Sequence, residues 1–261
     1  MTDFAEVVFL SMEPWRGPLT INLLDVDGVN TGEGHLPEVG SGEIVLFQSG
    51  NLFFSSSGLV VETQGLAGWQ SIRPVCPNEL RTAQQRLAEV AAWVGHTSQG
   101  GGWSNLLIDV ARRERFSGED DLAPHLQSLC QCLDAGNSEA FVQELIWFSG
   151  RGVGLTPSGD DLLAGLFLAA SRYPGLCASR IDWPWVFERT IQLVCGKTTS
   201  LSARLMECAS QGQADERLVL GLDGVITGKL TTAEVGRLFL AFGSSSGGDC
   251  LLGMCLAMLS Q

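Results

Sequence analysis

The chain is 261 residues long and 45% of them are hydrophobic, which is enough for one large domain or two modest ones. Its formal net charge of −13 argues against binding of nucleic acid or of an anionic membrane, because both require basic patches. There is no run of about 20 apolar residues and no basic stretch at the start, so we expect neither a membrane span nor a secretory signal. The protein is therefore expected to be cytoplasmic.

Strand-like segments come first and helix-like segments follow, which predicts an α+β fold. Residues 1–75 are expected to form a β-rich domain, as a small barrel or a sheet covered on both faces. Residues 76–261 are expected to form a mostly α-helical domain, because apolar residues there recur at helical spacing. The predicted strands are Val7–Leu10, Leu19–Leu24, Ile44–Gln48, Leu52–Ser55 and Leu59–Thr63, with a hairpin turn between the third and the fourth. The predicted helices are Leu80–Val94, Asn105–Phe116, Asp120–Ala135, Ser138–Phe148, Asp160–Ser171, Pro184–Cys195, Ser200–Ser210, Asp215–Ile226, Thr231–Leu240 and Ser246–Leu259.

The eight cysteines are irregularly spaced and lie in apolar, helix-like contexts. We interpret them as buried thiols rather than as a disulfide framework or a zinc site. They stand at positions 76, 130, 132, 177, 195, 208, 250 and 255.

A polar turn with glycine opens two of the predicted helices. Ser158-Gly159-Asp160-Asp161 precedes Gly165, and Ser246-Gly247-Gly248-Asp249 precedes Gly253, so the shared pattern is Ser-Gly-x-Asp-x-x-x-Gly. Residues spaced by four share one face of a helix, so the last aspartate of each copy, the glycine and a following alanine form one stripe. Because glycine permits close approach of another backbone, we predict that the two helices pack against each other or against a common element, with these aspartates near one pocket. The alternative is two separate core helices.

The segment before the first copy has an irregular backbone, because three glycines and a proline lie between Arg151 and Asp161. Its exposed N–H groups and the positive end of the helix dipole form a ready site for a phosphate, carboxylate or carbamoyl oxygen. Gly154 and Thr156 lie in this loop, and Ser158 is expected to cap the helix. A simple helix cap is the alternative, although it requires neither adjacent acids nor a second copy.

Two further segments are candidates for the edge of such a site. Gly196–Arg204 brings Lys197 and Thr198 to a helix start and suits an anionic ligand, but it is no nucleotide P-loop, because Ile191 stands where that motif requires glycine. A capped helix with solvated ends is the alternative there. The run Gly100–Gly102 could cover a site or simply connect two helices. Paired aspartates could also bind Mg²⁺ or orient a substrate amide, with the metal as the weaker choice.

The sequence from Gly154 to Gly165 resembles a bacterial family that includes the AllH-type subunit of oxamate carbamoyltransferase, from anaerobic allantoin breakdown. The resemblance continues through Lys197-Thr198-Thr199 and through Gly243–Gly253, and it spans roughly residues 150 to 261. It implies phosphorolysis of a ureide such as oxalurate to oxamate and carbamoyl phosphate. It also implies two partner subunits from the same operon, one of them similar to acyl-CoA ligases.

We therefore carry two hypotheses. In the first, the chain is a catalytic or substrate-binding subunit, with Asp160, Asp161 and Asp249 as catalytic residues. The residues expected to bind the anionic ureide or carbamoyl phosphate are Gly154, Thr156, Ser158, Gly159, Lys197, Thr198, Ser246 and Gly247. In the second, it is a non-catalytic assembly subunit whose motif only packs two helices. A stand-alone small-molecule-binding protein or hydrolase is a more distant alternative.

Overall fold

The computed structural model describes residues 9–11, 13–22, 43–64, 68–74, 80–98, 100–112, 116 and 121–259. These residues fall into two compact units, one within residues 8–70 and the other within residues 71–261. The predicted domain boundary between residues 75 and 76 lies outside the described residues and stays a prediction. None of the described helices is both long and apolar enough to cross a membrane.

The N-terminal unit contains two small sheets. In one, β1 (Phe9–Ser11) pairs in parallel with β2 (Thr20–Asn22). In the other, β3 (Val45–Gln48), β4 (Asn51–Phe54) and β5 (Val60–Glu62) pair antiparallel in that order.

Strands β3 and β4 form the hairpin predicted from the sequence. Gln48 pairs with Asn51, and the two residues between them, Ser49 and Gly50, have positive φ angles of 52° and 75°. Such two-residue turns match the twist of the strands that they join. All four residues of β3 are exposed, so neither face of this strand is covered. The expectation of a sheet covered on both faces is therefore wrong for this strand.

The C-terminal unit is helical, and the predicted α+β fold class is confirmed. Local signals explain several helix ends: the Asn137 side chain accepts the N–H of Ala140, and Thr231 and Glu234 form a capping box. Where a longer helix was predicted from Asn105 to Phe116, a short 3-10 turn precedes a helix that ends at Arg112. The helices of the described part are α1 (Leu80–Thr97), α2 (Leu107–Arg112), α3 (Leu122–Ala135), α4 (Ser138–Phe148), α5 (Ser158–Arg172), α6 (Trp183–Val194), α7 (Ser200–Ser210), α8 (Glu216–Thr227), α9 (Thr232–Leu240) and α10 (Ser246–Leu259).

Helices α5 and α10 lie at the centre of this unit, and almost every residue of both is buried. The far end of α5 is fixed by a buried ion pair, in which the Arg172 guanidinium donates to both oxygens of Asp223 at 2.7 Å. The Tyr173 hydroxyl donates to the same carboxylate at 2.6 Å. Since these groups are paired and hydrogen-bonded, they hold one end of α5 against α8 and leave its N-terminus to be positioned by the motif.

The seven cysteines in the described part of the chain are free thiols. Four of them are buried, which agrees with the interpretation from the sequence, and Cys130 and Cys208 are half-buried. The interpretation is wrong for Cys195, which is exposed because it follows the end of α6 in the turn before α7. Cys76 lies outside the described residues.

Candidate functional site

The motif glycines lie where α5 and α10 touch. A Cβ on Gly165 would overlap the backbone carbonyl of Cys250, and a Cβ on Gly253 would overlap that of Leu162. These are the same contact with the two copies exchanged, because Leu162 and Cys250 each follow the last aspartate of a copy. The predicted close packing of the two helices is confirmed, and the copies meet by an approximate two-fold relation.

Asp161 lies in the first turn of α5 and is only 3% exposed. Burial raises the pKa of its carboxyl to about 7, with the hydroxyls of Ser246 and Thr156 acting against the shift and the charge of Asp249 adding to it. Its Oδ2 atom is buried and accepts no hydrogen bond from the described part of the chain. An unpaired buried carboxylate oxygen is costly, so this atom is available to a proton or a ligand donor.

Asp249 occupies the equivalent position in α10 and is fully buried. Its Oδ1 accepts the backbone N–H of Trp103 at 2.6 Å. Burial raises the pKa of this carboxyl to about 6, against the lowering effect of the Trp103 N–H and of the Ser158 and Ser245 hydroxyls. Its Oδ2 also has no hydrogen-bond partner in the described residues, and it lies against Gly102. The glycine run therefore covers the second copy of the motif.

The serines exchange partners between the copies. Ser246 of the second copy acts on Asp161 of the first, and Ser158 of the first acts on Asp249 of the second. The Thr156 and Ser246 hydroxyls lie 3.2 Å apart and join the two loops. Each carboxyl is thus surrounded by groups from both copies.

Asp160 differs from the other two aspartates, because the chain engages both of its oxygens. Oδ1 accepts the N–H of Gly150 at 2.8 Å, and Oδ2 accepts the Thr198 hydroxyl. Burial raises the pKa of this carboxyl, and the same hydrogen bonds oppose that shift. Asp160 therefore joins the turn after α4 to the turn before α7.

The prediction that Ser158 caps α5 is wrong. Pro157 occupies the N-cap position, and its carbonyl accepts the N–H groups of Asp160 and Asp161 at 2.9 and 3.1 Å. Ser158 is the first helical residue, and its hydroxyl is directed to Asp249 instead.

Two of the predicted binding glycines have a packing role. A Cβ on Gly159 would overlap the carbonyl of Phe148 at the end of α4, and a Cβ on Gly247 would overlap that of Phe239 near the end of α9. Gly154 is different, since it has a φ of 103° and no heavy atom within 4 Å of a Cβ built there. Lys197 is exposed and lines a cavity together with Arg151.

The predicted site residues consequently form two neighbouring groups. The junction of α5 and α10 contains Thr156, Ser158, Gly159, Asp161, Ser246, Gly247 and Asp249. The turn before α7 contains Lys197 and Thr198, which meets Asp160, and Gly154 lies in the exposed loop before α5.

Residues 148–258 match the family model of oxamate carbamoyltransferase subunit AllH. The family predicted from the sequence is confirmed over these residues. The AllH match begins at the last residue of α4 and ends within α10, so it contains both copies of the motif. No solved structure matches the chain.

Trp103 was not predicted from the sequence as a site residue. It lies outside the region matched by the AllH model and 146 residues from Asp249, whose carboxylate accepts its N–H. Its indole also packs edge-on against Phe148, with ring centroids 5.8 Å apart. The preceding glycines gave a signal of an unusual backbone, since Gly100, Gly101 and Gly102 all have positive φ, but nothing local identified the partner.

The described part of this site contains few side chains that could bind a metal ion. Within the described residues, no three His, Cys, Asp or Glu side chains form a cluster that could hold one. Asp160 is engaged by the chain through both oxygens, which leaves Asp161 and Asp249 as the carboxylates with unpartnered oxygens. Mg²⁺ usually takes six oxygen ligands, several of them water, so a buried pair of carboxylates with little access for water does not favour it.

Proposed function

We propose that this chain is a subunit of a carbamoyltransferase complex that phosphorolyses an oxalurate-like ureide to carbamoyl phosphate and oxamate. The observation that carries the proposal is the pair of buried carboxyls, Asp161 and Asp249, at the junction of the two motif copies. Both lie within the residues that match the oxamate carbamoyltransferase subunit AllH. Each keeps one oxygen without a hydrogen-bond donor from the described chain.

The reaction requires a proton at the leaving nitrogen. A phosphate oxygen forms a bond to the carbamoyl carbon, the bond from that carbon to the ureide nitrogen breaks, and the nitrogen leaves as an amide once it gains a proton. A carboxylic acid with a pKa of about 7, such as Asp161, still holds a proton at neutral pH and can donate it. Asp249 is the better acceptor for a substrate N–H, because the Trp103 N–H already holds its Oδ1 in place while its Oδ2 has no donor in the described residues. We therefore assign proton donation to Asp161 and substrate orientation to Asp249.

The surrounding residues have supporting roles in this proposal. Ser158 and Ser246 hold the carboxyls, and Thr156 joins the two loops. Lys197 and the open backbone at Gly154 are available to the anionic part of the substrate. Substrate contact with Asp249 requires the segment Gly100–Gly102 to move, because that segment lies against the carboxyl.

The proposed complex contains two further subunits from the same operon, one similar to acyl-CoA ligases, and is placed in the cytoplasm. The test is the formation of carbamoyl phosphate from oxalurate by the reconstituted complex, with and without this chain. Asp161→Asn is expected to lower kcat by about 100-fold or more with assembly intact, as general acids contribute 10²–10⁴ in rate. The control is Asp134→Asn, an exposed acid on α3. Absence of carbamoyl phosphate with all subunits present would remove the substrate assignment.

A second function, that of an assembly subunit, is favoured by one observation. Val153 and Leu155 are 91% and 67% exposed and lie two residues apart in the loop before α5, so together they present apolar surface at one place. If the loop is an interface with a partner subunit, changing both to serine weakens assembly in size-exclusion chromatography, whereas Asp161→Asn leaves it intact. Loss of assembly in Asp161→Asn would support the assembly role and contradict the catalytic one.

A further inference from the structure

The loops that lead into the two motif copies are closed by equivalent backbone hydrogen bonds, although their lengths differ and Gly150 has a φ of 72° where its counterpart Ala241 has −80°. The N–H of Arg151 donates to the Phe148 carbonyl at 3.1 Å, and the N–H of Phe242 donates to the Phe239 carbonyl at 3.1 Å. Gly159 then donates back to the Arg151 carbonyl, as Gly247 does to that of Phe242, at 2.8 and 2.9 Å. Arg151 is therefore the structural counterpart of Phe242. The first loop has three more residues than the second between this position and the first glycine of the motif. A comparison of the two sequences alone therefore does not align Arg151 with Phe242.

Each loop borders its own cavity, and the two cavities differ in charge. The first, of about 530 Å³, is lined by Gln143, Ile146, Trp147, Ser149, Arg151 and Lys197. Among the described residues, the lining of the second, of about 360 Å³, contains no charged side chain and includes Leu240 and Phe242 together with serines and glycines. At the two equivalent positions, Ser149 and Arg151 of the first copy thus replace Leu240 and Phe242 of the second.

Two cations line the first cavity: Lys197 is one of the few lysines in this chain, and Arg151 is held in place by Trp147. The protein carries a net charge of −13 and has two lysines, Lys197 and Lys229. The Arg151 guanidinium lies 3.9 Å from the centre of the Trp147 ring, and its Nε donates to the Trp147 carbonyl at 2.6 Å. This combination fixes the plane of a guanidinium at the cavity wall, as expected of a group that recognises an oxyanion.

Asp160 connects the two cation-bearing turns. One of its oxygens accepts the N–H of Gly150, the neighbour of Arg151, and the other accepts the hydroxyl of Thr198, the neighbour of Lys197. Gly150 also packs so closely on the Lys197 carbonyl that a Cβ there would overlap it. In the second copy the residue equivalent to Asp160 is Gly248. The additional acid and the two cations are therefore all associated with the first copy of the motif.

We propose that the first cavity is a binding site for a phosphoryl oxyanion, with Arg151 and Lys197 as its ligands and Asp160 as a positioning residue that holds their two turns together. The phosphoryl group can belong to inorganic phosphate or to carbamoyl phosphate, since both present the same oxygens. The site rests on the proposed function only for the identity of this anion.

The experiment titrates the full chain with inorganic phosphate and with carbamoyl phosphate, using isothermal titration calorimetry. Arg151→Gln and Lys197→Gln are each expected to weaken binding by about tenfold, the loss expected when one charge-assisted contact is removed. The matched controls are Arg189→Gln and Lys229→Gln, both exposed and outside the cavity, and they are expected to bind as the unchanged protein does. Equal affinity in all four variants overturns the site.

Asp160→Asn separates positioning from simple electrostatics. Removal of a negative charge beside an anion site strengthens anion binding if Asp160 acts only through its charge. If Asp160 positions the two turns, binding weakens by about threefold or more, and Thr198→Val weakens it in the same way with no change of charge. Thr198→Val also serves if Asp160→Asn fails to fold. Stronger binding in Asp160→Asn together with unchanged binding in Thr198→Val contradicts the positioning role.

The results also distinguish this site from the proposed reaction. Phosphate binding that depends on Arg151 and Lys197, with no carbamoyl phosphate formed by the complete complex, supports the site and removes the reaction. Carbamoyl phosphate formed equally well by Arg151→Gln and Lys197→Gln complexes, with unchanged KM for phosphate, supports the reaction and removes the site.

Discussion

The two copies of the motif share a backbone but differ in what surrounds their carboxyls. In the first copy, Asp161 follows a second acid, Asp160, which is hydrogen-bonded to the two turns that carry the cations of the first cavity. In the second, Asp249 is covered by a glycine segment and bonded to Trp103, and its cavity is uncharged. The shared part provides close packing and mutual support of the carboxyls. The differing part provides charge, which supports our proposal that the chemistry lies nearer the first copy.

The largest effect on the packing that the two copies share is expected from substitutions where α5 and α10 cross. Gly165→Ala and Gly253→Ala are each expected to lower the free energy of unfolding by about 3 kcal/mol, because the new methyl would overlap a backbone carbonyl that has no room to shift. Urea denaturation measures the loss. Gly175→Ala is the control, since a Cβ there meets nothing within 4 Å, and it should change the free energy by less than about 0.5 kcal/mol. A marked inequality between the two copies would contradict the two-fold relation.

The buried carboxyls are expected to make the protein less stable as the pH rises. The pKa of Asp161 is raised from its ordinary 3.8 to about 7, so the folded state keeps a proton that the unfolded state releases. Its contribution to stability is therefore complete below about pH 4 and is lost as the pH rises to 7. Asp161→Asn should accordingly be more stable than the unchanged protein by about 4 kcal/mol at pH 8, since each unit of the pKa shift corresponds to about 1.4 kcal/mol, and nearly equal to it at pH 4.

Urea denaturation at both pH values checks this, with the exposed Glu188→Gln as a control. The pKa of Asp249 rises only to about 6, so Asp249→Asn should gain less at pH 8 than Asp161→Asn. A larger gain in Asp249→Asn would reverse the order of the two acids and with it the assignment of the proton donor.

Substitutions in the glycine segment that lies against Asp249 should have an effect of intermediate size on stability. Gly102→Ala is expected to cost about 2 kcal/mol, because φ at this position is 55° and the new Cβ would overlap the Asp249 carboxyl. Gly100→Ala has an unfavourable φ of 87° but open space around it, so it should cost only about 1 kcal/mol. Thermal unfolding compares the two, and amide exchange at Trp103 should be faster only in Gly102→Ala. Equal costs would mean that the glycine segment does not press on Asp249.

The smallest effects test the exchanged serines. Ser246→Ala and Ser158→Ala should each cost about 1 kcal/mol through the loss of one hydrogen-bonding hydroxyl beside a buried carboxyl. In carbon NMR titrations, Ser246→Ala should raise the pKa of Asp161, and Ser158→Ala that of Asp249. If each serine instead affects the aspartate of its own copy, the result contradicts the pairing of each serine with the aspartate of the other copy.

Much of the helical unit could be predicted from the sequence because its signals are local. The predicted bounds Ser138–Phe148, Ser200–Ser210 and Ser246–Leu259 coincide with α4, α7 and α10. The stripe of aspartate, glycine and alanine also predicted the crossing of α5 and α10, since a glycine on a helix face has few other reasons to be there. The cap at Ser158 failed because the preceding proline provides the N-cap carbonyl and leaves the serine inside the helix.

The partners of the site residues could not be predicted, because they are set by the fold and not by spacing. Thr198 is 38 residues from Asp160, and Trp103 is 146 residues from Asp249. The equivalence of Arg151 and Phe242 was hidden by the three additional residues of the first loop, which break the alignment at the point where the copies begin to differ.

The fusion of both copies in one polypeptide has a consequence for how such a site can evolve. In a symmetric dimer of identical chains every substitution occurs twice, so an acid at the position of Asp160 would also be present at the equivalent position of the other half. Here the counterpart is Gly248, whose Cβ position is only 3.0 Å from Ser104, and it remains a glycine. Because one polypeptide contains both halves, a substitution can change one half and leave the other half and the helix crossing as they are.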